Sequence, residues 1–229
     1  MMIVVYLMGL VVFMYSFEYL RKQITIYRWI SRHHLREKEE IFNQLYADVN
    51  GFMLSKQCRQ VSDAPEYVYG EIEWLSFAAL LSLCDINERT IYYDLGSGTG
   101  KSVLACAMLY NVQKSCGIEL FTELHVAAMH QAMSLQLLPA YELKAGVIVF
   151  QQANILECNF VDANIIFINA TAFIGELWTQ LSRHIAQVQA NAVVISTSKT
   201  LDSAAFVVER DCWVQMSWGV VRAYVQRRL

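Results

Sequence analysis

Short apolar runs alternate with longer amphipathic segments from residue 91 onward. The short runs are rich in β-branched and aromatic residues, which favours strands, and the longer segments carry apolar residues at helical spacing. Strands are predicted at 91–93, 116–119, 147–150, 165–168 and 192–196. Helices are predicted between them at 101–110, 122–138 and 175–188. Strands that alternate with helices form a parallel sheet with helices on both faces, so the pattern predicts an α/β fold.

The pattern changes on both sides of this region. Residues 206–209 and 220–225 are strand-like runs with no helix between them, which predicts an antiparallel pair at one edge of the sheet. Before residue 91, helices are predicted over 36–49, with Gly51 as a stop, and over 70–84. The sequence therefore predicts a helical segment followed by a mostly parallel sheet that ends in an antiparallel hairpin.

An uncharged apolar stretch opens the chain. Residues 1–17 carry no charged side chain, and six Lys or Arg residues follow within residues 21–38. A membrane-spanning helix needs about 20 apolar residues, and basic flanks stay on the cytoplasmic side. These features predict a single-pass transmembrane anchor over residues 1–20, a cytoplasmic catalytic domain, and contact of the basic stretch with anionic lipids. A helix buried in the core or in an oligomer is the alternative.

Composition and charge narrow the classes of partner. The chain has 229 residues, which is enough for one α/β domain with an appendage, and its net charge is −3. Basic residues cluster only within residues 21–38, so no nucleic-acid partner is expected. The six cysteines are scattered, with no C-x-x-C pair and no histidine at zinc-site spacing. This distribution indicates a reducing compartment and no metal site.

The candidate chemistry lies in a glycine-rich turn after the first predicted strand. Asp94 ends this strand, and Gly96, Ser97, Gly98 and Gly100 follow before the next predicted helix. Glycines let the backbone approach a ligand closely, and the free N–H groups at a helix start point toward that ligand. The turn therefore predicts a nucleotide-like ligand.

Three ligand classes compete for this turn. A phosphate loop needs a first glycine where Leu95 stands, and a later strand ending in Asp where Asn169 stands. A dinucleotide fingerprint, G-x-G-x-x-G, needs its third glycine one residue after Gly100. An S-adenosylmethionine fingerprint, which is an acid, one residue and G-x-G-x-G, is met in full. Asp94 suits the ammonium group of this cofactor, and Glu119, which ends the next predicted strand, suits its ribose hydroxyls.

Four segments carry a resemblance to a known family. They are Tyr69-Gly70-Glu71, Asp94-Leu95-Gly96-Ser97-Gly98, Asn169-Ala170-Thr171-Ala172-Phe173, and Ser217-Trp218 with Tyr224. Together they resemble the non-SET histone lysine methyltransferases, a family named for disruption of telomeric silencing. The resemblance implies a Rossmann-like class I methyltransferase domain over residues 66–229, after a basic and helical linker region over 21–65. A looser resemblance, in the apolar N-terminus and the D-L-G-S-G turn, is to membrane-anchored lysine methyltransferases of mitochondria.

The resemblance implies methyl transfer from S-adenosylmethionine to a protein lysine. Besides the turn and Glu119, it implies four cofactor-binding residues, namely Tyr69, Glu71, Asn154 and Asn169. An apolar channel would lower the pKa of the substrate lysine and so favour its reactive neutral amine. The channel and catalytic residues implied are Tyr69, Asn169, Phe173, Trp218 and Tyr224. The side-chain carbonyl of Asn169 would orient the amine.

The chain departs from the family at several points. Ala170 and Thr171 stand where the family has Asn and Phe, and Ala153-Asn154 stands where it has Gly-Asp. A basic nucleosome-binding tail is missing from the sequence, so histone specificity is not implied. The alternatives to a protein lysine methyltransferase are a small-molecule methyltransferase, a cofactor-binding scaffold without turnover, and an NTPase, which would bind ATP instead.

Overall fold

The fold is built on a seven-stranded sheet. The computed structural model describes residues 2–59 and 69–229, with side chains from residue 13 onward. The strands are β1 (Ile91–Leu95), β2 (Lys114–Glu119), β3 (Ile148–Gln152), β4 (Ile165–Ile168), β5 (Val193–Thr197), β6 (Phe206–Met216) and β7 (Gly219–Arg228). Their order is β3-β2-β1-β4-β5-β7-β6. Strands β1 to β5 run parallel, and β7 is antiparallel to both β5 and β6. The predicted architecture, a parallel sheet with a C-terminal antiparallel hairpin, is confirmed.

Helices connect the parallel strands and also precede the sheet. In the described part of the chain they are α1 (Met2–Arg32), α2 (Leu35–Leu45), α3 (Gly51–Arg59), α4 (Trp74–Leu81), α5 (Lys101–Leu109), α6 (Thr122–Gln136), α7 (Glu142–Ala145) and α8 (Gly175–Ile185). Helices α5, α6 and α8 form the predicted crossovers. Because β1 lies between β2 and β4, the connections diverge at the carboxyl ends of β1 and β4, which leaves a crevice there.

The core lies on both faces of the central strands. All residues of β4 and β5 are buried, as expected for parallel strands covered by helices on both sides. On one face, Leu181 and Ile185 of α8 belong to the same buried cluster as Ile168. On the other face, the ring of Phe77 in α4 packs edge-to-face against Phe167 of β4, with ring centres 5.3 Å apart. This packing fixes the strand ends that border the crevice.

The helices before β1 differ from the prediction. Gly51 begins α3 and does not end a helix over 36–49. The change comes from Asn50, whose side-chain oxygen accepts the N–H of Met53 at 3.0 Å and whose carbonyl accepts the N–H of Leu54. An Asn in this position caps the start of a helix. The helix predicted over 36–49 is therefore present as α2, which ends early at Leu45, and α3 was not predicted.

The helix predicted over 70–84 is limited to α4. Ile72 forms an antiparallel bridge with Met216, which ends β6. Glu71 accepts the N–H of Ser217 at 2.8 Å, and its own N–H donates to the Ser217 hydroxyl at 3.1 Å. These contacts hold the Tyr-Gly-Glu segment (residues 69–71) extended against the turn between β6 and β7, so a local helix cannot include it.

The predicted membrane anchor is wrong. In the part of the chain that the structure describes, no helix is both long and apolar enough to cross a membrane. The uncharged run ends at Glu18, and α1 continues through Arg21 and Lys22, so charges fall within the length that a spanning helix requires. The predicted single-pass membrane localisation with a cytoplasmic catalytic domain depended on this anchor and is therefore wrong as well.

The N-terminal segment forms a compact unit of its own. This unit ends at Ile41, and the second unit runs from Phe42 to Leu229. Residue 1, the side chains of residues 2–12 and the predicted linker–domain boundary at 65–66 lie outside the described part.

Candidate functional site

The glycine-rich turn lies in the crevice at the carboxyl end of β1. The N–H groups of Gly96 and Ser97 both donate to the carbonyl of Ile118 in β2, at 2.9 and 3.0 Å. The N–H of Gly100 then donates to the carbonyl of Ser97 at 2.8 Å, just before α5 begins. The turn is therefore tied to the neighbouring strand by backbone hydrogen bonds.

Glycine is required in the turn for conformation and for space. Gly96, Gly98 and Gly100 have φ values of +81°, +53° and +81°, which other residues rarely adopt. A Cβ atom at Gly98 would lie 2.6 Å from the ring of Tyr69, and one at Gly100 would lie 2.5 Å from the ring of Phe150. Any side chain at these two positions would displace an aromatic ring.

Two buried carboxylates face the crevice. Asp94 accepts a hydrogen bond from the hydroxyl of Ser102, and burial raises the pKa of Asp94 to about 7 although this bond lowers it. Glu119 accepts the N–H of Gly98 at 2.8 Å and that of Phe121 at 2.9 Å. Burial also raises the pKa of Glu119, against these backbone hydrogen bonds. Both carboxylates are therefore desolvated and oriented by hydrogen bonds from the chain itself.

A cavity of about 280 Å³ lies between the turn and the carboxyl ends of β1, β2 and β4. We call it the inner cavity. The predicted cofactor-binding residues that line it are Tyr69, Glu71, Asp94, Gly96, Ser97, Gly98, Glu119, Asn154 and Asn169. Gly100 is outside this lining because it faces Phe150 and the body of the sheet. The volume is near the lower end of the roughly 300–1,000 Å³ typical of small-ligand pockets.

The Tyr-Gly-Glu segment closes one side of the inner cavity. The hydroxyl of Tyr69 donates to Glu71 at 2.6 Å and lies 3.1 Å from the hydroxyl of Thr99 in the turn. Burial, together with the nearby Glu71 carboxylate, raises the pKa of Tyr69, so its hydroxyl stays protonated. The second oxygen of Glu71 pairs with the ammonium of Lys101 at 2.7 Å. The segment is thereby clamped to the turn and to the start of α5.

Asn169 follows β4 and joins three parts of the site. Its amide nitrogen donates to the carbonyl of Gly70 at 3.1 Å. Its amide oxygen accepts hydrogen bonds from the hydroxyls of Thr197 at 2.7 Å and Thr171 at 3.2 Å. The oxygen that the resemblance implies for orienting an amine therefore already has two protein donors. Asn169 holds the Tyr-Gly-Glu segment in place.

A second cavity of about 560 Å³ adjoins the first, and we call it the outer cavity. It is lined by Phe52, Arg59, Tyr69, Thr171, Ala172, Ile174 and Trp218. Tyr69 and Ala172 line both cavities. Phe52 of α3 packs edge-to-face on Tyr69, with ring centres 5.2 Å apart. Trp218 lies between β6 and β7, so close to Gly70 that a Cβ atom there would be 1.7 Å from its ring.

Of the three predicted aromatic channel residues that follow the cofactor turn, two line a cavity and one does not. Phe173 lines the inner cavity and Trp218 the outer one. Tyr224, in contrast, lies in β7 opposite Ser196 of β5 and outside the described lining of both cavities. Tyr224 is half-buried and also pairs with Asp211 of β6, and its absence from the described lining of both cavities leaves a channel role without support.

Several site residues were not predicted. Phe52 could not be predicted because α3 was not predicted, and Lys101 and Ser102 follow the glycine turn at positions where the cofactor fingerprint specifies no residue. Thr197 ends β5, and Asn169 follows the neighbouring strand β4 at the same carboxyl end of the sheet. Its position at the carboxyl end of a parallel strand was a signal that could have identified it.

Comparisons with known proteins agree on the family and on the fold. The family model described as histone methylation protein DOT1 matches residues 53–217. A Salinibacter ruber RNA methyltransferase, solved with S-adenosyl-L-homocysteine, is 21% identical with a TM-score of 0.51, over 65% of this chain and 88% of its own. Thermus thermophilus TrmN is 17% identical with a TM-score of 0.56, over 75% of this chain and 53% of its own. A Streptomyces coelicolor geranyl diphosphate C-methyltransferase is 9% identical with a TM-score of 0.53, over 68% and 76%. No curated protein matches the chain.

Proposed function

This chain belongs to the DOT1 histone methylation family, and we propose that it transfers a methyl group to the side chain of a protein lysine. The chain is an S-adenosylmethionine-dependent methyltransferase, since its family and its fold both belong to that class. The observation that carries the finer proposal is the outer cavity. This cavity is largely apolar, has aromatic walls and adjoins the inner cavity at Tyr69.

The inner cavity fits the cofactor by the chemistry of its lining. The Asp94 carboxylate suits the cofactor's ammonium group, through a charge-assisted hydrogen bond. Each oxygen of Glu119 accepts one backbone N–H and keeps a lone pair for a ribose hydroxyl. The hydroxyl of Ser97 is buried without a hydrogen-bond partner among the described residues, so a ligand atom can satisfy it. Bound there, the cofactor supplies a methyl group on a sulfonium.

Asn154 has a smaller role in this proposal. It lines the inner cavity, but its oxygen accepts the N–H of Leu156 at 3.1 Å and its nitrogen donates to Glu157 at 3.1 Å. The side chain therefore shapes the turn after β3, and one amide hydrogen is left for the edge of a base.

The outer cavity suits a lysine side chain. An apolar lining disfavours the charged form, so it lowers the pKa of an entering lysine and supplies the neutral amine that attacks a methyl carbon. The faces of Trp218, Phe52 and Tyr69 can also attract the methylammonium product. Because Tyr69 stays protonated, we assign it no role as a base. The lysine loses its proton before attack, and positioning provides most of the rate.

The test is to identify the labelled product. Full-length protein is incubated with radiolabelled S-adenosylmethionine and separate protein, RNA and small-molecule fractions of a lysate. We expect label in the protein fraction, recovered as methyllysine after acid hydrolysis. Asp94→Asn should abolish labelling. Asp211→Asn is the matched control, because Asp211 pairs with Arg222 on the surface of the hairpin.

The other outcomes each support a different function. Label in the RNA or small-molecule fraction alone would overturn the lysine proposal. Cofactor binding without any labelled product would favour a scaffold without turnover. Tighter binding of ATP than of S-adenosylmethionine would contradict both Asp94 and Glu119 as cofactor ligands.

A further inference from the structure

The hydroxyl of Ser102 donates a hydrogen bond to Asp94, the carboxylate that suits the cofactor ammonium, and Ser102 itself borders the inner cavity. We propose that Ser102 is a positioning residue, whose hydrogen bond keeps Asp94 ionised and oriented for cofactor binding. The inference rests on the proposed function of Asp94. It adds a residue of this chain that the acid and glycine fingerprint of the turn does not specify.

The Ser102 hydroxyl is buried and donates to Asp94. Ser102 is the second residue of α5 and is 6% exposed, and its hydroxyl donates to one oxygen of Asp94. A hydroxyl has a single proton, so this bond fixes one carboxylate oxygen. The other oxygen is then left for a ligand. Asp94 is itself only 4% exposed, so water cannot replace this hydrogen bond without a rearrangement.

The surroundings of Asp94 make the hydrogen bond matter. Glu119 of β2 faces Asp94 and raises its pKa, adding to the effect of burial. Tyr92 of β1 and Cys116 of β2 are also close, but burial raises the pKa of both, so they stay neutral. Lys101, the nearby cation, is paired with Glu71. Of these described neighbours, Ser102 is the one that favours the ionised form of Asp94.

The consequence is a pH-dependent affinity. Without the Ser102 hydroxyl, Asp94 would retain its proton to higher pH and meet the cofactor ammonium as a neutral acid. If the pKa of Asp94 rises by one unit, the variant's dissociation constant exceeds that of wild type about tenfold near pH 6. The two constants become about equal near pH 8.5. A loss of packing alone would give a ratio that does not change with pH.

The experiment is calorimetric titration of full-length protein with S-adenosylmethionine between about pH 6 and 8.5. Ser102→Ala should show the pH-dependent ratio, and Ser102→Thr, which keeps a hydroxyl, should restore wild-type affinity. The ratio of dissociation constants at each pH cancels the titration of the cofactor itself. Ser115→Ala is the matched control, because Ser115 is equally buried and on the neighbouring strand but donates to the carbonyl of Val103 at 2.8 Å.

Each outcome separates this inference from the proposed function. If Asp94→Asn binds the cofactor as tightly as wild type, the role of Asp94 itself is wrong. If Asp94→Asn binds weakly but Ser102→Ala gives a ratio of one, or a ratio that is constant with pH, the role of Ser102 is wrong. Should Ser102→Ala not fold, Ser102→Cys, a weaker donor, must show an intermediate ratio with the same pH trend.

Discussion

Replacing Asp94 by Asn should stabilise the unliganded protein at neutral and alkaline pH. The pKa of Asp94 rises from 3.8 to about 7 in the fold because the carboxylate is buried. Between these values the unfolded chain loses its proton while the folded chain keeps it, so stability falls as pH rises. A shift of about three units at 1.36 kcal/mol each amounts to roughly 4 kcal/mol. An uncharged amide avoids this penalty and can still accept the hydrogen bond from Ser102.

The assay is urea unfolding of wild type and Asp94→Asn without cofactor, at intervals from about pH 4 to 8. The difference in free energy of unfolding should grow with pH, in favour of the variant, and level off above about pH 7. Asp211→Asn, which removes a surface carboxylate, is the control and should show no comparable trend. Saturating S-adenosylmethionine should reduce the difference in stability, because only the wild type binds it tightly, and a ligand concentration of about 1,000 times Kd would offset about 4 kcal/mol.

A stability difference that does not depend on pH would contradict the predicted burial penalty of Asp94. A difference between Asp94→Asn and wild type that stays constant over this pH range would mean that Asp94 is not desolvated in the fold. The same result would remove the basis for the Ser102 inference, since an ordinary solvated carboxylate needs no hydroxyl to remain ionised at neutral pH.

Three further substitutions test other parts of the site. Glu119→Ala should weaken cofactor binding by about 1–3 kcal/mol in calorimetry, and unchanged affinity would place the ribose contact elsewhere. Gly70→Ala should push Trp218 out of the outer cavity and lower kcat/KM for the methyl acceptor more than it weakens cofactor binding, although Gly70 also borders the inner cavity. An equal loss of cofactor affinity would show that the two cavities are not independent. Thr197→Val should lower the free energy of unfolding by about 1–3 kcal/mol by removing a donor to Asn169, and Thr197→Ser should restore it.

The sheet could be predicted from the sequence because its signals are local. Strand β1 and helix α5 are each specified by their own residues and by the glycine turn between them. The helix predicted over 70–84 failed for the opposite reason. Its apolar composition fits a helix, but Ile72 pairs with Met216, and no local pattern reports a partner so far along the chain.

The candidate site also contains residues with local signals and residues whose roles depend on distant contacts. Asp94 and Glu119 could be predicted because they end strands of a parallel sheet and sit beside a glycine turn. The roles of Ser102 and Thr197 depend on side-chain hydrogen bonds to other elements, which spacing alone does not specify. The N-terminal prediction failed because it treated residues 1–20 as a separate element, whereas α1 continues through the charged residues that follow.

The contacts of the Tyr-Gly-Glu segment have a consequence for the order of folding. Gly70 is bound by Asn169, 99 residues away, and Glu71 by Ser217, 146 residues away. Closing loops of this length is slow compared with forming adjacent strand–helix units. During synthesis the Tyr-Gly-Glu segment cannot form these contacts until the β6–β7 hairpin has emerged and joined the sheet. A growing chain therefore completes its cofactor cavity only after the β6–β7 hairpin has been synthesised, and the cofactor cannot guide the earlier steps of its folding.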